Sequence, residues 1–270
     1  MTSPRPGPAR GASAALYDAL APTYDQHFAV AHRNAYDDLA WELVQPLLPD
    51  PPGRIVDVGC GVGRWARRLV DMGHAVVGIE PAPAMAAVAR ERLTSACFEL
   101  VEQLMEDACL APRQADLVLA MGSLQYSEEP EQVLRRLAQW VRPGGAVAVL
   151  VDSLVALVLE LLAAGKVDEA LARLETRQGT WIQHGLRADC HLFDSARLRR
   201  AFEGAGLVDV EVRGLLVSWS GFGREGMLDR LDRDRARQMA LERRLMGDRA
   251  VADLAKQLYA SGRVPAAVPG

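Results

Sequence analysis

The sequence predicts an α/β domain with a doubly wound, mostly parallel seven-stranded sheet, helices on both faces and a helical insertion that acts as a lid. Short apolar segments alternate with amphipathic segments from residue 54 onward, as βαβ units do. The apolar segments are continuous rather than alternating, which is typical of strands covered on both faces. The alternation stops after Ser153 and resumes at residue 194, which indicates an insertion.

The chain begins with a segment rich in proline, residues 1–12, that we predict to be a disordered leader. Residues 13–270 are predicted to form a single domain. Within it, helices at 14–30 and 34–48 form an N-terminal helical cap over residues 13–50. The Pro and Gly residues of LLPDPPG end the second of these helices.

Strands and helices then follow one another with turn residues between them. The amphipathic helix GRWARRLVDMG ends at Gly73, and APAMAAVARERL, PEQVLRRLAQWV and DSARLRRAFEGAGL are later helices. The turn RPGG precedes the fifth strand. The predicted strands are RIVDVG (54–59), AVVGIE (75–80), CFELVEQ (97–103), ADLVLAMG (115–122), AVAVLVD (146–152), VDVEVRGLLV (208–217) and KQLYASGR (256–263).

The insertion covers about residues 153–190. Its first part, LVALVLELLAAGKVDEALARLETRQ, is predicted to be a pair of helices, and GTWIQHGLRADCHLFD to be irregular or extended. A further helix-rich segment is expected at about 225–250. Because the insertion follows the fifth strand, it should lie over the carboxyl edge of the sheet.

Charge argues against a nucleic-acid partner. The 270 residues carry a formal net charge of −4, so no overall basic field attracts nucleic acid. Of the 31 basic residues, 29 are arginine, and a GC-rich coding sequence explains this excess of arginine without a functional role. The run DRLDRDRARQMALERRL alternates acids and bases at helical spacing, which is typical of a solvated helix with internal ion pairs. We expect a small-molecule acceptor instead.

The four cysteines and the apolar segments bear on location. Cys60, Cys97, Cys109 and Cys190 are scattered, without a CxxC pair or a Cys/His spacing typical of zinc. Reduced thiols and a cytoplasmic location are therefore expected. No apolar run reaches the length of a membrane span, and the N-terminus lacks the apolar core of an export signal, so no membrane partner is expected.

The most specific feature is a glycine turn between the first strand and its helix. Gly59, Gly61 and Gly63 allow a ligand to approach the backbone, and Glu80 ends the next strand, where a carboxylate can accept hydrogen bonds from a ribose. The run Gly61, Gly63 and Ala66 keeps a dinucleotide pattern open. Asp57, just before the turn, disfavours a pyrophosphate and suits a ligand that carries positive charge.

The segments VDVGCGVGRWARRLVDMGHAVVGIEPAPAMAAVARERL, ADLVLAMGSLQYSEEPEQVLRRLAQWVRPGGAVAVLV and HLFDSARLRRAFEGAGLVDVEV resemble class I (Rossmann-like) S-adenosylmethionine-dependent methyltransferases of the small-molecule type. The resemblance covers most of 14–264 and is weak in 153–185. It implies methyl transfer from S-adenosylmethionine, with S-adenosylhomocysteine as the product. The chemistry of methyl transfer requires no metal, and the sequence has no His/Asp cluster that would hold one, so we expect a metal-independent enzyme.

The resemblance also implies site residues. Gly59 and Gly61, with Gly63 and Asp57, would line the amino-acid end of the cofactor, and Glu80 would hold the ribose. An acid and a small residue after the third strand would bind the adenine amino group, either Glu102, Gln103 and Leu104 or, in a second alignment, Glu106, Asp107 and Ala108. The other implied cofactor residues are Ala82 and Met85 at the adenine, Met121 and Gly122 below the sulfonium, and Tyr24, with Tyr17 as second candidate, over the cofactor.

The acceptor should enter at the carboxyl ends of the strands, under the N-terminal helices and the insertion. Gln125, Trp181, Gln183, Arg187 and Phe193 are candidate walls. The candidate catalytic residues are Tyr126, His184 and His191.

We therefore expect methylation of an O, N or C atom of a small molecule, a secondary metabolite, by in-line displacement with proximity and base assistance, in a monomer or a homodimer. Two alternatives stay open at this point. One is an NAD(P)-dependent oxidoreductase, and the other is an inactive methyltransferase-like protein that binds cofactor as a partner of another protein.

Overall fold

A computed structural model describes residue 8, residues 10–183 and residues 185–266, apart from the side chains of residues 27 and 28. Most of the predicted leader lies outside the described residues. The strands of the described chain are β1 (Arg54–Val58), β2 (Ala75–Ile79), β3 (Phe98–Val101), β4 (Ala115–Met121), β5 (Val141–Asp152), β6 (Gln178–Gln183), β7 (Leu186–His191), β8 (Val208–Leu215) and β9 (Gln257–Arg263).

Seven of these strands form one sheet in the order β3-β2-β1-β4-β5-β9-β8. Neighbouring strands in the β3-β2-β1-β4-β5 part of the sheet are parallel, and β9 runs antiparallel to both of its neighbours, β5 and β8. The predicted seven-stranded, mostly parallel sheet is confirmed.

The helices are α1 (Ala12–Leu20), α2 (Tyr24–Phe28), α3 (Ala31–Val44), α4 (Arg64–Asp71), α5 (Pro83–Arg92), α6 (Pro130–Trp140), α7 (Leu154–Ala163), α8 (Val167–Thr176), α9 (Ser195–Gly204) and α10 (Trp219–Met246). None of the described helices is long and apolar enough to cross a membrane.

Both faces of the sheet are covered, which explains the continuous apolar strands. On one face, Val118 and Val149 belong to a buried cluster with Leu134 of α6 and Phe202 of α9. On the other face, Leu119 and Leu150 pack in a cluster that includes buried residues of α3, α4 and α10. Successive residues of a strand point to opposite faces, so each strand contributes to both clusters.

The N-terminal prediction needs correction. The single helix expected at 14–30 is divided, because a 3₁₀ turn with Pro22 separates α1 from α2. The second helix, expected at 34–48, is α3, which starts at Ala31 and gives way to a 3₁₀ turn containing Pro46. A proline supplies no backbone N–H and does not continue an α-helix without a break.

The RPGG segment also differs from the prediction, because it lies within β5 rather than before it. Val141 pairs with Ala115 and Ala146 with Leu117, so residues 142–145 bulge out opposite Asp116. Arg142 makes an ion pair with Asp116. Gly144 in the bulge has φ 81°, a conformation that favours glycine.

The pair of helices predicted after Ser153 is confirmed as α7 and α8. The Ser153 side chain accepts a hydrogen bond from the Ala156 backbone N–H at 3.3 Å and so caps α7. The segment predicted to be irregular or extended is an antiparallel hairpin of β6 and β7. The helix-rich segment expected at 225–250 is α10, which departs from helical geometry at Gly223 and Asp234, followed by a 3₁₀ turn.

Candidate functional site

A cavity of about 420 Å³ opens at the carboxyl ends of β1, β4 and β5. Its walls come from these strand ends, from α1, α2, α3, α4 and α7, from the β6–β7 hairpin and from the start of α10. The volume lies within the range of small-molecule sites, about 300–1,000 Å³. The place is also where open α/β sheets bind ligands.

The glycine turn forms one end of this cavity. The backbone N–H groups of Gly59 and Cys60 both donate to the Ile79 carbonyl, at 2.7 and 3.1 Å, which ties the turn to the end of β2. A Cβ on Gly59 would lie 2.4 Å from the Ser123 Cβ, so Gly59 is required by packing. A Cβ on Gly61 would meet only Tyr24, at 3.9 Å, and would project into the cavity.

Glu80 lies beside the turn and is held by two backbone donors. Its carboxylate accepts hydrogen bonds from the N–H of Gly61 and the N–H of Ala82, each at 2.9 Å. Burial raises the pKa of Glu80 to about 7, although the two N–H donors oppose this shift. The βαβ unit therefore brings Glu80, the residue predicted to bind the ribose, against the glycine turn.

Asp57 is the second buried carboxylate at this end. Burial, with the charge of Glu80, raises the pKa of Asp57 to about 7. Its Oδ2 atom is buried without a hydrogen-bond partner among the described residues, and Asp57 lines the cavity. A positively charged ligand group would compensate this carboxylate.

Gly63 has a different environment from Gly61. It precedes α4 and does not line the cavity, and a Cβ there would lie 2.8 Å from the Leu93 side chain. Gly63 therefore allows α4 to pack closely against the end of α5.

The residues expected at the adenine lie under the N-terminal helix α1. Ala82 and Met85 are fully buried in a cluster with Leu16 and Leu20 of α1. Asp18 of α1 accepts a hydrogen bond from the Ala84 N–H at 2.8 Å and so caps α5 from a distance. The cap thus covers this part of the site, outside the cavity lining.

Neither predicted alignment after β3 lies on the cavity lining. Glu102 and Gln103 are exposed, and Glu102 makes an ion pair with Arg90. Leu104 is half-buried, with its side chain beside Gly11. In the second alignment, Asp107 pairs with Arg10, the Glu106 carbonyl accepts a hydrogen bond from Arg136 and Ala108 is buried in the core. The adenine ligands remain a prediction.

Met121, Gly122, Tyr24 and Tyr126 all line the cavity. Tyr17 lines it as well, with its ring centroid 6.2 Å from that of Tyr24 and 5.6 Å from that of Tyr126. Burial raises the pKa of the Tyr126 phenol well above its ordinary value. Tyr126 is therefore a neutral hydrogen-bonding group at physiological pH.

The two histidine candidates are placed differently. His184 lies outside the described residues. His191 follows Cys190, which lines the cavity, and neighbouring residues of a strand point to opposite faces. The Nε2 of His191 lies 3.2 Å from the Glu128 carbonyl oxygen, and His191 is absent from the cavity lining. Burial lowers its pKa.

Among the candidate walls, Gln125 and Trp181 line the cavity, whereas Gln183, Arg187 and Phe193 do not. Arg187 pairs with Asp189 on the exposed side of the hairpin. Phe193 is buried in the core. The hairpin thus contributes only part of its predicted residues to the cavity.

The structure adds Asp152, which sequence reasoning did not single out. Its carboxylate accepts hydrogen bonds from the Nε2 atoms of Gln125 and Gln257, each at 3.4 Å. The Oε1 atoms of both glutamines are buried without a partner among the described residues. The available signal was the position of Asp152 at the end of the fifth strand, where functional groups collect.

No group of three or more His, Cys, Asp or Glu side chains in the described ranges could hold a metal ion. The metal-independent reaction remains a prediction from the chemistry of methyl transfer.

Comparison with known proteins finds similarity over the central part of the chain. Residues 56–149 match a family described as "Methyltransferase domain". The chain is 37% identical over 122 residues to trans-aconitate 2-methyltransferase of Variovorax paradoxus, covering 42% of this chain and 46% of that protein. It is 37% identical over 99 residues to ubiquinone biosynthesis O-methyltransferase of Aeromonas salmonicida, covering 36% and 42%. The chain thus spans about half the length of these relatives or less.

The solved structures extend the similarity to the whole fold. An S-adenosylmethionine-dependent methyltransferase from Mesorhizobium loti matches with a TM-score of 0.56 at 19% identity, covering 83% of this chain and 96% of that chain. At this identity the likeness shows the fold alone. Together with the family match, it confirms the resemblance that the motifs indicated.

Proposed function

We propose that this chain is an S-adenosylmethionine-dependent methyltransferase that acts on an O, N or C atom of a small molecule. Residues 56–149 match the methyltransferase domain family, and the sheet has the fold of class I methyltransferases. The observation that carries the proposal is the glycine turn, where Gly61 leaves room that a Cβ would fill and the Oδ2 atom of the buried Asp57 has no hydrogen-bond partner among the described residues. This end of the cavity suits a positively charged ligand that lies against bare backbone.

The chain's residues fit S-adenosylmethionine. Glu80 is buried beside the turn, outside the cavity lining, and its carboxylate would accept hydrogen bonds from the ribose hydroxyls in addition to those from the backbone. Gly59 and Gly61 would admit the amino-acid end. The free Oδ2 of Asp57 would favour the ammonium group. When bound, the cofactor supplies an electrophilic methyl group on its sulfonium.

On the acceptor side we propose Asp152 as the group that takes up a proton from the nucleophile. Its carboxylate lines the cavity and is oriented by Gln125 and Gln257, whose free carbonyl oxygens can accept hydrogen bonds from an acceptor. Base assistance of this kind contributes about 10²–10⁴-fold, and alignment of the nucleophile about 7–11 kcal/mol. Tyr126 is a second polar group that an acceptor could contact.

The small-molecule acceptor is supported by the size of the cavity and by its cover. Leu157 and Glu160 of α7, with Thr180 and Trp181 of the hairpin, line it, as a lid built from the insertion would. The two relatives are named for trans-aconitate and for ubiquinone biosynthesis, so they also act on small molecules. A secondary-metabolite acceptor, a cytoplasmic location and a monomeric or homodimeric state complete the proposal.

Calorimetry with S-adenosylhomocysteine and with NAD(P)H tests the cofactor assignment. We expect binding of S-adenosylhomocysteine and no response to NAD(P)H, and the reverse result would favour the oxidoreductase. Transfer of a labelled methyl group to a panel that includes trans-aconitate tests activity.

Asp152→Asn should retain S-adenosylhomocysteine affinity and lose turnover by about 10²-fold or more, with a changed pH profile. Asp168→Asn, at an exposed position in the first turn of α8, is the control. Unchanged turnover in Asp152→Asn would exclude Asp152 as the base. Cofactor binding without transfer to any acceptor would favour the inactive, partner-type protein.

A further inference from the structure

Two arginines on the cavity wall have no acidic partner. Arg33 of α3 and Arg224 of α10 both line the cavity, and neither guanidinium makes an ion pair or hydrogen bond with another residue of the described ranges. The other basic groups on the wall are neutralised, because Arg64 pairs with Asp37 at 2.8 Å and Lys256 with Glu160 at 3.0 Å. Positive charge therefore remains at this part of the wall.

A buried histidine lies among these cations. His32 is 9% exposed, and its Nδ1 atom has no hydrogen-bond partner among the described side chains and backbone. Burial, with the charges of Arg33, Arg224 and Lys256, lowers the pKa of His32 to about 4, so the imidazole is neutral at physiological pH. Its ring packs against Trp219, with the centroids 5.2 Å apart. A neutral, unpartnered ring nitrogen on the cavity wall is a group that a ligand would satisfy.

The helical backbone of α10 is interrupted directly before Arg224. Gly223, directly before it, has φ 65° and ψ −176°, which breaks the helix and begins a new segment at Arg224. The guanidinium of Arg33 lies 5.9 Å from the centroid of the Trp181 ring. Two arginines from distant segments and one buried imidazole thus line the same cavity. Trp181 and Trp219 line it as well.

We propose that His32, Arg33 and Arg224, here called the basic wall, bind an anionic group of the acceptor, a carboxylate or a phosphate. The proposal rests on the methyltransferase function and adds a substrate class to it. A guanidinium presents a planar set of donors that matches the oxygens of either anion. The ammonium of the cofactor would face Asp57 beside the glycine turn, which leaves the basic wall to the acceptor.

The cofactor's own carboxylate is the competing source of negative charge, and the experiment separates the two sources. The probes are matched pairs that differ in charge: para-hydroxybenzoate with para-hydroxybenzamide, trans-aconitate with its trimethyl ester, and phenyl phosphate with phenol. Each is titrated by calorimetry into the full chain saturated with S-adenosylhomocysteine. S-adenosylhomocysteine itself is titrated into the wild type and into Arg33→Gln, Arg224→Gln and the control Arg230→Gln, an exposed arginine farther along α10.

We expect at least one anion to bind the wild type about tenfold or more tightly than its neutral partner. We expect this preference to fall about tenfold in Arg224→Gln, with S-adenosylhomocysteine affinity unchanged. The acid or the phosphate member of the panel identifies which anion is preferred.

Three results would overturn the proposal. The first is that the wild type binds no probe, or binds no anion more tightly than its neutral partner. The second is that Arg224→Gln keeps the wild-type preference, and the third is that its affinity for S-adenosylhomocysteine falls as much as its affinity for the anion, which would assign the basic wall to the cofactor. Failure of wild-type chain to bind S-adenosylhomocysteine would instead refute the proposed function. Circular dichroism of each variant establishes that it is folded.

Discussion

Gly61→Ala separates the cost of backbone strain from the loss of ligand space. Gly61 has φ 55°, a left-handed conformation that costs an alanine about 1–2 kcal/mol. The added Cβ meets no packed neighbour, since the nearest atom is the Tyr24 Cε1 at 3.9 Å. The variant should therefore fold, with a free energy of unfolding lower by about 1–2 kcal/mol.

Cofactor binding should suffer separately, because the methyl group occupies cavity space next to the proposed amino-acid end. Overpacking of this kind costs about 1–3 kcal/mol, which corresponds to roughly 5- to 150-fold in the Kd of S-adenosylhomocysteine. Urea denaturation measures the first effect, and calorimetry on the folded variant measures the second.

Gly144→Ala is the matched control. Gly144 has φ 81° and no atom within 4 Å of an added Cβ, and it lies in the β5 bulge, away from the cavity. It should show a similar loss of stability and an unchanged Kd. Unchanged affinity in Gly61→Ala, or an equal loss in both variants, would refute the reasoning that the space at Gly61 is kept for the ligand.

Three further outcomes are expected. Glu80→Gln should weaken S-adenosylhomocysteine binding by about 1.5–3 kcal/mol in calorimetry, because the proposed hydrogen bonds from the ribose would lose their charged acceptor, whereas Glu99→Gln on the exposed side of β3 should have no effect. The raised pKa of Asp57 makes its contribution to stability fullest below about pH 4 and lost as the pH rises to about 7, so the free energy of unfolding of the wild type relative to Asp57→Asn should fall over that range in urea titrations; a constant difference would contradict this. Asp18→Ala should lower stability by about 1 kcal/mol in thermal denaturation through loss of the bond to the Ala84 N–H, and Asp18→Asn should retain most of it; equal losses would exclude the capping role.

The sequence allowed prediction of those parts of the fold that depend on local patterns. The seven strands, their order of appearance and the helical pair after Ser153 follow from apolar segments and turn residues close together in the chain. The errors concern proline and glycine, where local geometry decides the outcome: Pro22 divides the N-terminal helix, and the RPGG segment becomes a bulge inside β5.

The histidine candidates illustrate a different limit. His191 and Cys190 are neighbours in the sequence, yet only Cys190 faces the cavity, since the pleat of β7 sends successive side chains to opposite sides. Sequence reasoning identified the segment but not the register of the hairpin. The register is fixed by pairing with β6, which the segment alone does not reveal.

The sequence by itself determined the end of the site that we propose for the cofactor, because Asp57, Gly61 and Glu80 belong to one βαβ unit in which the carboxyl ends of neighbouring parallel strands meet. Only the tertiary structure decided the end that we propose for the acceptor. Asp152, Arg33 and Arg224 come from separate segments that packing brings to one cavity, and two unpaired arginines cannot be recognised in a chain with 29 of them until the ion pairs of the others are known.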